Sequence, residues 1–355
     1  MTIPFGAIIL SCLLALILTP PMIKLACRWG AVDKPNQRKI HATPMPRLGG
    51  LAIYVAFVVG LLVTQPMTMP LAGLLVGATL IVLLGLWDDL RGMPAVVKLI
   101  GQIVAAASLV PFGLYVEFVT NPIAGDVFWL GLWGIPLTIF WIVAVTNALN
   151  LVDGLDGLAA GTALIAALSL AVIAFFEAQS TAFAVALILA AAILGFLRYN
   201  FHPARIFLGD TGSMLLGFVL AATAIMGLTK SATALSVIIP IVILGIPLFD
   251  TAFAILRRCL NGRRIFEPDK DHLHHRLLIA GLSHRGAVLT VYGVNLVLAA
   301  SAVVITRLTT DQAVLLLFIL AAVLLTAANK FGVIGAAWSR RLPETAESKS
   351  EGPGF

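Results

Sequence analysis

Eleven long apolar runs follow one another through this chain, and no other feature limits its fold so strongly. Hydrocarbon offers no partner to an open backbone N–H or C=O, so a segment that crosses a bilayer does so as a helix of about 20 apolar residues. The runs lie at roughly 4–26, 49–65, 70–87, 95–115, 133–148, 157–176, 180–198, 212–228, 233–256, 287–306 and 312–329. Only 11% of the 355 residues are charged, against about 25% in soluble domains. The expected fold class is therefore an all-α polytopic membrane protein with about 11 transmembrane helices. Residues 1–330 are expected to form one membrane domain, and the polar stretch 331–355 a disordered tail. The first run has no basic residue ahead of it and no small-residue cleavage site behind it, which predicts a retained helix rather than a signal peptide.

The positions of the basic residues orient such a bundle, because Lys and Arg are held on the cytoplasmic side. With the loop 33–47 inside, alternation of the runs puts 21 of the 23 Lys and Arg there and leaves only Lys230 and Arg307 outside. The N-terminus is then external and the C-terminus cytoplasmic. The same topology gathers Asp33, Asp88, Asp89, Asp153, Asp156, Asp210, Asp250, Glu267, Asp269 and Asp271 at the cytoplasmic face, against Glu117, Asp126, Glu177 and Asp311 outside. The net charge of +6 reads as this topology signal together with an affinity for anionic lipid. No basic and aromatic module points to nucleic acid. Cys12, Cys27 and Cys259 form no CxxC and no external pair, so neither a disulfide nor a cysteine–metal site is expected.

Ionisable groups at membrane depth are costly and mark function, and here they come in clusters. Neighbouring helix residues point about 100° apart, so Asp88 and Asp89 in GLWDDL cannot share a direction: one faces a pocket while the other orients a ligand or caps a neighbouring helix. The stretch NALNLVDGLDGLAAG (147–161) spaces Asn147, Asn150, Asp153 and Asp156 three residues apart. Their oxygens suit a hard cation or a polar head group, and Gly154 and Gly157 break the helix where backbone approaches a ligand. In RIFLGDTGSMLLG (205–217), Asp210 stands at a glycine-flanked helix start, where free N–H groups make an anion site and the carboxylate can hold a divalent ion against that anion. DKDHLHHRL (269–277) crowds His272, His274 and His275 beside Arg276 in the longest cytoplasmic loop. The HxHH spacing lacks the i,i+4 step of a helical zinc pair, and Arg276 favours an anionic ligand over zinc.

Carboxylates, Asn, His, Arg and glycine turns at one membrane edge are the chemistry for joining a Mg²⁺-bound phosphorylated donor to a phosphate head group at the bilayer surface. Two other classes also place Asp at membrane depth. An intramembrane aspartyl protease would use LGD (208–210) as a GxGD-like signature, but leaves the Asn/Asp ladder and the His–Arg loop unexplained. An ion-coupled transporter would place its acids at the midplane and repeat its helices; neither is visible. A CDP-alcohol phosphotransferase would need an Arg that DGLAA (156–160) lacks.

Five motifs carry a resemblance: DKPNQRKIHATPMPRLGG (33–50), GLWDDL (85–90), NALNLVDGLDGLAAG (147–161), FLGDTGSMLLG (207–217) and DHLHHRL (271–277). In this order, over about 245 residues, they resemble those of the polyprenyl-phosphate N-acetylhexosamine-1-phosphate transferase family. The HxHH and RKxHxxPxPRxGG forms are similar to the bacterial enzymes that load GlcNAc-1-phosphate from UDP-GlcNAc onto undecaprenyl phosphate. The lipid I synthase type, with an HHH-type loop, is the alternative. The resemblance implies a Mg²⁺ cofactor (Mn²⁺ as substitute), residence in the bacterial inner membrane with the active site facing the cytoplasm, and leaves a homodimer open. It makes Asp88, Asp89 and Asp210 catalytic and assigns the metal to Asp210, Asp153 and Asp156. Asn147, Asn150, Asp153 and Asp156 would contact the nucleotide, Phe207 would stack on the uracil, and His272, His274, His275 and Arg276 would grip the sugar or pyrophosphate. Lys39, His41 and Arg47 belong to the first motif as substrate-binding residues. For Asp88 the roles of base, orienter and nucleophile all stay open.

Overall fold

The computed structural model describes residues 3–33, 44–120, 126–228, 238–260, 262 and 272–330. Lys39, His41, Glu267, Asp269, Asp271 and the tail 331–355 lie outside them. The chain is built from helices: α1 (Phe5–Trp29), α2 (Gly49–Thr64), α3 (Met69–Arg91), α4 (Ala95–Ala107), α5 (Gly134–Val152), α6 (Leu158–Phe176), α7 (Ser180–Asn200), α8 (Gly209–Leu228), α9 (Ile238–Ile243), α10 (Gly245–Leu260), α11 (Leu273–Ile279), α12 (His284–Ile305) and α13 (Thr310–Lys330). Two short antiparallel hairpins accompany them. One pairs β1 (Val32–Asp33) with β2 (Met45–Pro46), and the other pairs β3 (Phe118–Thr120) with β4 (Val127–Trp129).

Every one of the eleven apolar runs carries helix, yet not every run is one long helix. Among the described residues eight helices are long and apolar enough to cross a membrane. The helix Gly49–Thr64 and the apolar part of α13, Thr310–Thr326, are shorter. At 16 residues α2 extends only about 24 Å at 1.5 Å per residue. The run 233–256 is divided between α9 and α10 around Leu244. Pro247 lacks an N–H and its ring crowds the carbonyl four residues back, at Ile243, which explains the break. Pro111 acts likewise on the run 95–115: α4 stops at Ala107 and a 3-10 turn, Val110–Phe112, follows.

Local chemistry sets the ends. Thr68 caps α3 by accepting the N–H of Leu71, Ser283 caps α12 by accepting that of Gly286, and Gly30 closes α1 in the left-handed region at φ 76°. At the centre stands α8, packed against α2, α3, α5, α6 and α7 and 94% buried along its span. A helix enclosed on all sides can be apolar all round, and α8 is so except at its first turn, where Asp210, Thr211 and Ser213 stand, and at Thr223, whose hydroxyl donates to the Val219 carbonyl. Up-and-down connection brings the starts of α2, α6, α8 and α12 and the ends of α3, α5 and α7 to one end of the bundle, where the motifs meet.

Candidate active site

The two aspartates at the end of α3 diverge as the helix geometry requires. Asp89 is 3% exposed and caps α8, accepting the N–H of Asp210 (2.9 Å), the N–H of Thr211 (2.9 Å) and the Oγ1–H of Thr211 (2.7 Å). Sequence reasoning offered those N–H groups to an anionic ligand; the structure gives them to Asp89. Arg47 leans on the same residue, its Nη2 donating to the Asp89 carbonyl at 3.1 Å. α3 can come this close to α8 because Gly85 faces it: a Cβ there would stand 2.5 Å from Cα of Thr211.

Asp88 points elsewhere, 2.9 Å from Nζ of Lys98 on α4. The same ammonium donates to Asp210 Oδ1 at 2.7 Å and Asn150 Oδ1 at 3.1 Å. Asn150 in turn donates to Asp210 Oδ1 (2.6 Å) and to Ser213 Oγ (2.8 Å). Lys98 thus joins Asp88, Asp210 and Asn150, which come from three other helices. It was missed as a site residue, although a signal was present: it is the single charge inside the run 95–115.

Beside this centre lies a cavity of about 530 Å³, lined among others by Asp33, Arg47, Asp89, Asn150, Asp153, Asp156, Phe207, Asp210, His202, His275 and His284. A second cavity of about 470 Å³, by Thr64, Gln65, Ser180 and Phe183, has no ionisable side chain in its lining. In the ladder, Asn147 and Asn150 ride on α5, Asp153 is its C-cap and Asp156 follows in the turn before α6. Asn147 does not line the cavity but pairs with Gln102. Burial, then the negative charges of Asp210, Asp89 and Asp156, push the Asp153 carboxyl up to about 8.

Asp156 is turned away from that group. Its Oδ2 accepts from His202 Nδ1 (2.7 Å) and Ala204 N–H (3.1 Å), and its own N–H donates to His284 Nε2 (3.0 Å). Asp156, His202 and His284 are the one His/carboxylate trio among the described residues whose ligand atoms lie within 4.8 Å; Asp210, Asp153 and Asp156 do not form such a cluster. The two imidazoles are stacked, 4.2 Å apart at 19°. Lone pairs lie in the ring planes, so stacked rings cannot aim at one ion, and we read this trio as a hydrogen-bonded wall of the cavity.

The His motif, placed by the sequence in a loop, is helical. His272 begins the helix α11, because Leu273 and Leu277, four residues apart, pack against the start of α12 around Val288 and Val291. Asp250 of α10 fastens it, accepting from His272 Nδ1 (3.0 Å) and the Leu273 N–H (2.9 Å). His274 is buried against Gly154, and burial, with repulsion by His275, pushes its pKa down to about 3, so it is a neutral wedge. His275 lines the cavity, whereas His272, His274 and Arg276 do not.

Gly154 has no unusual φ, so alanine suits its backbone, but the added Cβ would lie 2.7 Å from Cε1 of His274 and closer to Nε2. Gly154→Ala is expected to displace α11, lowering the melting temperature by the equivalent of about 1–3 kcal/mol. Melting curves check this; a wild-type melting temperature would show that the wedge is idle.

The Glycosyl transferase family 4 profile matches residues 71–228. A probable undecaprenyl-phosphate N-acetylglucosaminyl 1-phosphate transferase of Bacillus subtilis (strain 168) is 45% identical over 88% of this chain and 88% of its own length. The decaprenyl-phosphate N-acetylglucosaminephosphotransferase of Mycobacterium tuberculosis (strain ATCC 25618 / H37Rv) is 38% identical over 77% and 75%. The undecaprenyl-phosphate alpha-N-acetylglucosaminyl 1-phosphate transferase of Escherichia coli (strain K12) is 30% identical over 74% and 73%. With motifs, helical membrane fold and relatives in agreement, the chain belongs to the polyprenyl-phosphate N-acetylhexosamine-1-phosphate transferase family, in the branch of the N-acetylglucosaminyl 1-phosphate transferases.

Proposed function

We propose that this protein transfers N-acetylglucosamine 1-phosphate from UDP-GlcNAc to undecaprenyl phosphate, releasing UMP and opening a cell-envelope polysaccharide pathway. The observation that carries the reading is the Asp88–Lys98–Asp210 bridge beside a polar cavity at one end of an apolar bundle. An aspartyl protease needs two carboxylates sharing a proton; here an ammonium separates Asp88 from Asp210, which speaks against that class.

A divalent cation fits the residues present. Asp210, Asp153 and Asn150 offer hard oxygen atoms at the cavity, and Asp153 is raised first by burial and then by the negative charges of Asp210, Asp89 and Asp156, which a cation would offset. Mg²⁺, when bound, would neutralise the donor pyrophosphate. Phe207 would face the uracil, and His275 and Arg47 would meet the sugar diphosphate. The acceptor phosphate has a second pKa of about 6 and is mostly ionised at neutral pH, so Asp88 is needed to orient it through Lys98 rather than to deprotonate it. In one displacement an acceptor oxygen bonds to the β-phosphorus while the bond from that phosphorus to the bridging oxygen breaks, and UMP leaves.

Purified protein supplied with undecaprenyl phosphate, Mg²⁺ and a panel of UDP-sugars is expected to release UMP with UDP-GlcNAc, and mass spectrometry to find GlcNAc-diphosphate-undecaprenol. UMP release without lipid phosphate, or a product with another sugar, would refute the assignment. We further propose a bacterial inner-membrane location with the cavity cytoplasmic, supported by the split of 21 basic residues against 2. In a background with Cys12, Cys27 and Cys259 replaced by serine, Asp126→Cys should react with an impermeant thiol reagent on intact cells and Arg91→Cys should not. The reverse pattern would turn the site outward.

A further inference from the structure

Beneath the Lys98–Asn150–Asp210 contact, the same three helices make a second polar contact. Gln102 stands one turn after Lys98 on α4, Asn147 one turn before Asn150 on α5, and Met214 one turn after Asp210 on α8. Gln102 is 1% exposed. Its Oε1 accepts from Asn147 Nδ2 at 2.6 Å, and its Nε2 donates to Asn147 Oδ1 and to Met214 Sδ, each at 3.3 Å. Asn147 Nδ2 also donates to the Val143 carbonyl at 2.8 Å. Neither amide lines the cavity.

Apart from the close approach of Gly101 to Leu84 of α3, the rest of α4 gives it little side-chain hold on the bundle. Val96, Val97, Ile100 and Val104 are exposed, and the helix buries only Gln102, Ala105 and Ala106. Alanines pack equally well after a slide along the axis, whereas a two-way amide pair is directional and is lost with a shift of one residue, about 1.5 Å. A shift of that size would also unseat the Lys98 ammonium from its contacts at 2.9 Å with Asp88 and 2.7 Å with Asp210.

We propose that Gln102 and Asn147 are positioning residues for the transfer reaction: their amide pair fixes the register of α4 against α5 and α8 and so seats Lys98 between Asp88 and Asp210. The inference rests on the function proposed above. It also gives Asn147 a different duty from the nucleotide contact that the family motif implies, because Asn147 acts through a helix contact one layer below the cavity.

Two double variants test it. Gln102→Leu/Asn147→Leu removes both amides together, so no polar group is left unpaired and the fold is kept, yet the register is no longer fixed. Its melting temperature should stay near that of the wild type while kcat falls about 10²-fold, the scale of a 1 Å misplacement, and KM for UDP-GlcNAc changes by less than about threefold. The exchange Gln102→Asn/Asn147→Gln restores an amide pair and should recover at least about a tenth of wild-type turnover. Wild-type kcat in the double leucine variant would overturn the inference. So would a loss confined to KM, or a loss in both variants that merely follows melting temperature. UMP release by the wild-type protein with UDP-GlcNAc and undecaprenyl phosphate is the control: its absence would fail the proposed function, whereas its presence with an unaffected leucine variant fails only the positioning role.

Discussion

Lys98→Met is expected to lower turnover by about 10²–10³-fold, the usual cost of removing one preorganised charge from a reaction centre, while the protein still folds. Methionine keeps the length and apolar stem of lysine but leaves Asp88 and Asp210 without the ammonium that holds each within 2.9 Å. Both carboxylates would then repel an incoming phosphate. Lys98→Arg should rescue poorly, because a planar guanidinium cannot take the place of a compact ammonium donating to Asp88, Asp210 and Asn150 at once. UMP release at saturating substrates, measured beside a melting curve, decides the matter. Near-wild-type kcat in the methionine variant would mean that Lys98 only balances charge at rest.

Asp210→Asn is expected to cost still more, about 10³-fold or beyond, with the fold retained. The change is isosteric, and the N–H of residue 210 still donates to Asp89 at the start of α8. What disappears is the negative charge that Lys98 and Asn150 address and that a divalent cation would need. Mg²⁺ should raise the melting temperature of the wild type and leave that of the variant unchanged, which gives a readout apart from activity. Normal turnover of the variant at saturating Mg²⁺ would remove Asp210 from the metal site.

The apolar runs made the helices legible, since backbone in hydrocarbon has hardly another choice, and the polar motifs stood out against them. What escaped were residues whose meaning depends on a distant partner. Lys98 counted only as a topology charge, and Gln102 drew no reading at all. Asp250, His202 and His284 lie outside the clusters that were weighed as sites, and each is defined by a hydrogen bond across the bundle. The His motif was read as a loop because its histidines drew attention from Leu273 and Leu277, whose spacing makes α11. The break in the run 233–256 was readable in principle from Pro247, but hydropathy averages over a single proline.

The capping of α8 by Asp89 has a consequence for how the chain is made. Asp89 and its partners on α8 are 121 residues apart, so in N-to-C synthesis α3 enters the membrane well before those N–H groups exist. Asp88 can be compensated at once, because Lys98 arrives ten residues later on the adjoining helix. Asp89 has an earlier-made cation in Arg47, whose Nε lies 3.7 Å from its Oδ1, but its three close donors come only when α8 is threaded into the middle of the bundle. Insertion of α8 is then the event that both fills the centre of the bundle and brings Asp89 its lasting partners.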